Sequence, residues 1–432
     1  MEGGHQALAI VMGRAALVAA GDGDTTNALW TNDGGVNTVP WDNTLYATDT
    51  AVFGFGHLEG STSVGTVSPA GGIQVGSLRF NKSYAFGGGS ITLNEGIIDV
   101  ASGVTARFSP FNGVSLRGDA GLTKTGAGTL YFGRLSNTSY TGGTYINAGT
   151  LEIGFEDSTY TGNLVNPDSG VIHLLDTEGS ADATLRVGSA SASWGIANDI
   201  VVRTGSTGNA TIEYRRSNAA AAFELSGDLT LGKSLSLDRV GNNAVSITLS
   251  GDISGPGDLS IDQSGVVNQA SPGNVTLSGD NTNHTGATFL KGNSATNTSA
   301  FLNSIQGNSK LTLDNIAVSG TGTLQFNIVD DDADLIQLLN RATLDLSGLT
   351  LKPILSGIQT QSEYALTNRL TGVTGQFASI IGSPQYAFLV DYDGTDANPN
   401  SVVLILTPIP EPAAMSLLAI GALPLLLRRR KA

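Results

Sequence analysis

Gly121-Leu122-Thr123-Lys124-Thr125-Gly126-Ala127-Gly128-Thr129-Leu130 is followed, 21 residues after its Gly128-Thr129-Leu130, by Gly149-Thr150-Leu151. Gly322-Thr323-Leu324 repeats the tripeptide further on. A second echo, Leu-Ser-Gly-Asp, begins at Leu225, Leu249 and Leu277, at spacings of 24 and 28. A third sets Asn137–Ile146 against Asn281–Leu290 at a constant offset of 144. Spacings in the twenties are about one coil of a β-solenoid. Each coil leaves an apolar side and a row of backbone groups open until the next coil stacks on it.

The segments between the echoes alternate. Ser90-Ile91-Thr92-Leu93, Ser246-Ile247-Thr248-Leu249 and Val275-Thr276-Leu277 place branched apolar residues on one side and hydroxyls on the other. A period of two marks a half-buried strand. Glycine, at 57 of 432 positions, supplies turns and disfavours helix. The one short helix candidate in the body, Asp334 to Asn340, is apolar on too many sides to be a surface helix. Cysteine is absent, so neither disulfides nor thiolate metal sites exist, and stability must come from packing and hydrogen bonds.

The C-terminus has a different texture. Pro410, Glu411 and Pro412 precede an apolar run from Ala413 to Leu427, then Arg428, Arg429, Arg430 and Lys431. As a helix, that run would span roughly 22 Å, short of the ~30 Å hydrocarbon core unless flanking residues or local thinning help. The cations belong on the cytoplasmic side. Without those four cations, the formal charge of −15 becomes −19 for the remainder. A surface so acidic repels phosphate backbones, which excludes nucleic acid as a partner.

Two resemblances follow. Pro410-Glu411-Pro412, the apolar helix and the basic cluster resemble the PEP-CTERM sorting signal of Gram-negative bacteria. That resemblance implies processing near the tripeptide by an exosortase, after an inner-membrane intermediate held by a single C-terminal transmembrane helix. An ordinary tail anchor that is never cleaved is the plain alternative. Gly121 to Gly154 resembles the autotransporter-associated β-strand repeat, and an eroded copy over 251–291 keeps Asn281 to Thr288 but lacks Lys-Thr-Gly. The stretch with Trp30, Trp41, Phe53 and Leu78-Arg79-Phe80 is similar to the lead-in of such proteins. The resemblance implies a right-handed parallel β-helix. No β-barrel translocator follows the repeats in this sequence, so self-export is not expected.

The expected organisation is all-β: an atypical or incomplete leader over 1–24, a β-solenoid over 25–165 carrying the repeat at 121–154, and its continuation over 166–318. A separate C-terminal β cap then covers 319–406, and the sorting signal covers 407–432. The leader reading is strained, because Glu2 stands where a cation belongs and Arg14 breaks the run from Ala7 to Ala20.

Chemistry-bearing motifs are few. His5, His57, His173 and His284 are scattered, with no pair at ligand spacing, and His284 is read as a turn or face residue because the first copy has Tyr140 there. No nucleophile elbow or phosphate-binding loop is present. Asp330, Asp331, Asp332 and Asp334 form the densest acidic cluster. Asp330, Asp332 and Asp334 are the candidate Ca²⁺ ligands, set against a solvated turn. Glu213 with Arg215-Arg216 is the candidate for a sugar carboxylate, set against an exposed strand end. No cofactor other than Ca²⁺ is considered. The expected role is a non-catalytic structural or adhesive protein of the cell surface or extracellular matrix, bound to extracellular polysaccharide through rows of hydroxyls and amides. A polysaccharide lyase or glycosidase on the same scaffold is the enzyme alternative.

Overall fold

Thr129 and Leu130 pair in parallel register with Thr150 and Leu151, so the 21-residue echo is one coil laid on the next. Leu225 pairs with Leu249, and Leu249 with Leu277, so the Leu-Ser-Gly-Asp echo is likewise a stack of coils. The molecule is therefore an all-β parallel solenoid. A computed structural model describes residues 41–54, 66–67, 69, 72–108, 114–133, 139–154, 162–163, 170–189, 193–216, 221–240, 245–262, 275–279, 281, 283–291, 298–302, 304–305, 310–314, 316–319 and 321–409, with two short strands at Leu8–Ile10 and Trp30–Thr31. Among the described residues there is no helix.

Through the middle of the molecule each coil contributes one strand to each of three sheets, here called faces. In one coil these are Ile172–Leu174 on face 1, Ala183–Ser189 on face 2 and Ser193–Ile196 on face 3. The next coil lays Ile200–Val202, Ala210–Arg216 and Ala221–Leu225 on them. Face 2 runs through twelve strands and face 3 through nine, while a separate five-stranded sheet that includes Gly322–Val329 and Leu349–Ser356 takes the place of face 1 in the last coils.

Alternation does what its period requires. On face 2, Leu130, Leu151, Leu185, Ile212, Leu237 and Ile261 stack inward, and each is fully buried. Removing such a leucine from water is worth about 1.5–3 kcal/mol, so the column outweighs any single hydrogen bond of the ladder.

The corners are the harder problem, since the chain turns there and backbone groups lose their ladder partners. At the corner from face 3 to face 1, Gly227, Gly251 and Gly279 stack on one another. A Cβ on Gly251 would lie 2.1 Å from the Gly227 carbonyl oxygen, and one on Gly279 would lie 2.0 Å from that of Gly251. This close approach is the reason for the glycine in Leu-Ser-Gly-Asp. The following aspartate fastens the same corner: Asp228 N donates to Asp199 Oδ1 and Asp252 N to Asp228 Oδ1, both at 2.9 Å.

At the corner from face 1 to face 2, side chains reach the carbonyls. Lys124 stands in the inward row of face 1 between Ile98 and Ile146, fully buried. Its Nζ donates to the carbonyls of Thr125 and Gly126, each at 2.7 Å, and of Ala148 at 3.1 Å. Lys233 reaches Ser206 O and Gly208 O, Arg203 reaches Leu175 O, and His284 Nε2 lies 2.9 Å from Gly257 O. Gly126 completes the Lys-Thr-Gly turn at φ 73°.

His284, read as a turn or face residue, is a buried member of the inward row of a strand, where its ring does for a corner carbonyl what lysine does elsewhere. The offset of 144 preserves local geometry but not the face: Thr144 pairs with Leu122 and Ile172 on face 1, while Thr288 pairs with Leu259 and Leu311 on face 2. The corners are alike enough to host the same motif.

The boundary at 319 also moves. Gly322–Val329, Leu335–Leu339, Thr343–Asp345 and Leu349–Ser356 are further coils in parallel register, and the helix candidate Asp334 to Asn340 is mostly the second of these strands. Only Glu363–Ala365, Tyr386–Asp391 and Val403–Pro408 form a separate antiparallel sheet. The closing device is local: Leu366 to Asn368 bridge to Ile336, and Val402 in turn bonds Leu366 and Thr367, so the last edge of face 2 is paired. Leu8–Ile10 is a strand parallel to Ala51–Phe53.

Two outcomes test this account. Gly251→Ala should lower stability by about 1–3 kcal/mol in denaturant unfolding, as overpacking does. Burial pulls Lys124 down to about 8 from 10.5, against the opposite pull of Asp99. Between those values the unfolded chain binds more protons, so this residue makes stability rise with pH across that window. Lys124→Met should remove that part of the slope and, by orphaning three carbonyls, cost about 2 kcal/mol at neutral pH.

Candidate ligand-binding face

Because coils stack in register, outward residues form rows along the solenoid as regular as the inward ones. Face 2 carries two. The first runs from Thr105 through Thr129, Thr150, Thr184 and Thr211 to Ser236 and Ser260, with Phe289 next. The second, two residues on, runs Arg107, Tyr131, Glu152, Arg186, Glu213, Asp238, Asp262 and Lys291. One row is hydroxyl and the other is charged. Adjacent coils hold these side chains about 4.8 Å apart.

The charges of the second row are largely matched within it. Arg186 bonds Glu213 through Nε and Glu152 through Nη1 at 3.3 Å. Burial alone would lower Arg186, but the hydrogen bonds and charges of Glu213 and Glu152 outweigh it and raise its pKa. Lys291 meets Asp262 at 3.2 Å. The Arg107 guanidinium lies 4.5 Å above the Tyr131 ring, whose hydroxyl donates to Gly154 O at 2.7 Å. Ser236 donates to Asp238.

Beside the hydroxyl row, where face 2 meets the corner from face 1, lies an open groove of about 560 Å³. Thr211, Ser236 and Ser260 line it with Asn209, Asp258 and Phe289. Lys233 also borders it, but its ammonium is committed to two corner carbonyls. Asp258 accepts Ala287 N at 2.8 Å. The hydroxyls of Thr211 and Ser260 have no hydrogen-bond partner among the described residues.

The residues singled out from the sequence fall elsewhere. Asp330 Oδ1 accepts Ile358 N at 2.9 Å, and Asp331 accepts from Thr360, Gln361 and Tyr364. The Thr360 hydroxyl above all, with the Gln361 amide, pulls the Asp331 carboxyl down to about 2. Asp334 turns inward to Asn327 N and Nδ2 at 2.7 and 2.8 Å, and burial pushes it up to about 6. Asp332 sits in the adjoining hairpin. The three calcium candidates therefore do not converge: their oxygens are spent on separate backbone donors, or point to solvent. Among the described residues no group of three or more His, Asp or Glu side chains is placed to hold a metal ion.

Glu213 is partnered by Arg186, one coil back, while the side chains of Arg215 and Arg216 lie outside the described ones. His173 stacks on Tyr145, centroids 4.5 Å apart, and burial together with Arg203 lowers its pKa. Pro410, Glu411, Pro412, Arg428, Arg429, Arg430 and Lys431 lie outside the described residues, as does the apolar run between them. Among the described residues no helix is long and apolar enough to cross a membrane.

Sequence reasoning missed face 2 as a surface, including Arg186 and Phe289. The threonines at 129 and 150 were visible in the Gly-Thr-Leu echo. Their continuation was hidden because successive coils differ in length, from 21 residues between Thr129 and Thr150 to 34 between Thr150 and Thr184.

The comparison with protein families agrees with the stacking. Residues 122–153 and 268–292 match the passenger-associated-transport-repeat. Neither the curated proteins nor the solved structures return a match. The chain thus carries two repeats of the kind found in passenger regions on a parallel β-solenoid, an architecture that fits an exported, autotransporter-like surface protein of Gram-negative bacteria.

Proposed function

We propose that this chain is an exported, non-catalytic surface rod, a right-handed parallel β-helix that holds extracellular polysaccharide along face 2. The observation that supports the reading most directly is the pair of unbroken outward rows. A linear polymer is recognised well by a surface that repeats along one axis, and the hydroxyls from Thr105 to Ser260 repeat once per coil. The formal charge of −15 keeps such a rod soluble and turns nucleic acid away.

In this proposal Pro410-Glu411-Pro412 and the basic cluster are the address label. The apolar run holds the chain in the inner membrane while an exosortase processes it, and the body proceeds to the surface or matrix. Ca²⁺ has no assigned place. The enzyme alternative has one feature in its favour, the consecutive carboxylates Glu213, Asp238 and Asp262. The cations bordering them, Arg186 and Lys291, are already paired, which leaves that row without a free base-and-cation set.

Deleting residues 407–432 should leave the body off the cell surface, as fractionation and surface labelling would show. Intact mass of the surface form should lack Arg428 to Lys431. A body that reaches the same fraction with or without the tail, or in a host stripped of exosortase, refutes the sorting role. Turnover of polygalacturonate by the purified chain would favour the lyase instead.

A further inference from the structure

The two copies of the repeat carry an outward aromatic at the same place, Tyr145 in the first and Phe289 in the second. Their surroundings differ. Tyr145 is covered by His173 at 4.5 Å and has the Arg203 guanidinium 5.5 Å from its centroid. Phe289 has no ring or cation partner among the described residues, and it interrupts a row that is otherwise hydroxyl, at the end of the groove lined by Thr211, Ser236 and Ser260. On the next coil Thr312, only 8% exposed, keeps an unpartnered hydroxyl.

An aromatic ring without a partner, set beside the free hydroxyls of Thr211 and Ser260 and the Asn209 amide, whose Nδ2 donates to Asp182 Oδ1 at 3.0 Å, suits one ligand chemistry. A pyranose ring offers an apolar C–H side to the negative π face and equatorial hydroxyls to its flanks. The sign of the charge chooses among sugars. Lys233 is spent on carbonyls, Lys291 on Asp262 and Arg186 on two glutamates, while Asp238 and Asp262 stand in the neighbouring row. Among the described side chains of this stretch of face 2, a uronate would meet carboxylates and no uncommitted cation.

We infer that the groove closed by Phe289 is a subsite for a neutral glycan, with one hexose over the Phe289 ring and neighbouring units hydrogen-bonded to Thr211, Ser236, Ser260 and Asn209. This rests on the polysaccharide reading above and narrows it: the acidic polymer is excluded from this site.

The test is titration calorimetry of the full chain with neutral glucan and mannan oligosaccharides and with polygalacturonate oligomers of matched length, at low and high salt. The expected result is binding of a neutral series, insensitive to salt. It should weaken about tenfold or more in Phe289→Ala and several-fold in the paired Thr211→Val, Ser260→Ala variant, with unfolding midpoints unchanged because all three side chains face outward. If Phe289→Ala loses stability, Phe289→Leu retains bulk without a π face and should show the same loss of affinity. Binding of uronate oligomers alone overturns the inference while leaving the polysaccharide reading intact. Neutral binding that ignores both variants overturns the groove, again without touching that reading. Failure of every glycan to bind overturns both.

Discussion

Register between successive coils is the constraint on which the rest depends. A coil alone has two open backbone edges and an apolar side facing water, and loses on both counts. Stacked in parallel, it satisfies its edges with its neighbours and aligns like with like inside. Leu130 on Leu151 on Leu185 is a hydrophobic column only because no coil slips. A slip of one residue would put Thr129 in the core and Leu130 outside, at every coil beyond it.

What fixes the register is found at the corners more than on the faces. A ladder of near-identical strands has nothing in its middle to oppose sliding by two residues. The corners do oppose it: Gly251 fits only against the Gly227 carbonyl, Asp228 bonds only the amide of Asp252, and Lys124 finds its three carbonyls at one place. Burying an ammonium is costly, and the depressed pKa of Lys124 records that cost. Three carbonyls with no ladder partner would cost as much again, so the lysine is retained where leucine would pack better. His284 solves the same problem without a permanent charge, which accounts for a second repeat that lacks Lys-Thr-Gly and still closes its corner.

This division explains what could be read in the chain beforehand. Gly-Thr-Leu and Leu-Ser-Gly-Asp exposed the coil spacing and the alternation, and both appear in the pairing. The end of the solenoid could not be read, because Leu324 to Val329 and Leu349 to Leu355 stack by the same alternation with neither Lys-Thr-Gly nor Leu-Ser-Gly-Asp at their corners. Nor could the fate of Asp330 and Asp331, whose partners Ile358, Thr360 and Gln361 come from the following coil. The groove needed knowledge of unequal coil lengths before Thr211, Ser236, Ser260 and Phe289 could be seen as neighbours.

The same regularity that builds the core also shapes what the surface can do. Inside, identical apolar residues in a column are favourable, since like side chains pack on like at every coil. Outside, identical charges in a column repel at about 4.8 Å, so a row is favoured by interposed counter-charges or by hydroxyls in their place. The second row of face 2 interposes Arg186 between Glu152 and Glu213 and sets Lys291 after Asp262, around the consecutive carboxylates Glu213, Asp238 and Asp262. The first row obeys by having no charge. A neutral row is the only kind that can run the length of a solenoid without internal pairing, and unpaired groups are what a ligand needs. The uncharged hydroxyl row, rather than the more conspicuous carboxylates, is therefore where a parallel solenoid of this composition has free hydrogen-bonding capacity to offer.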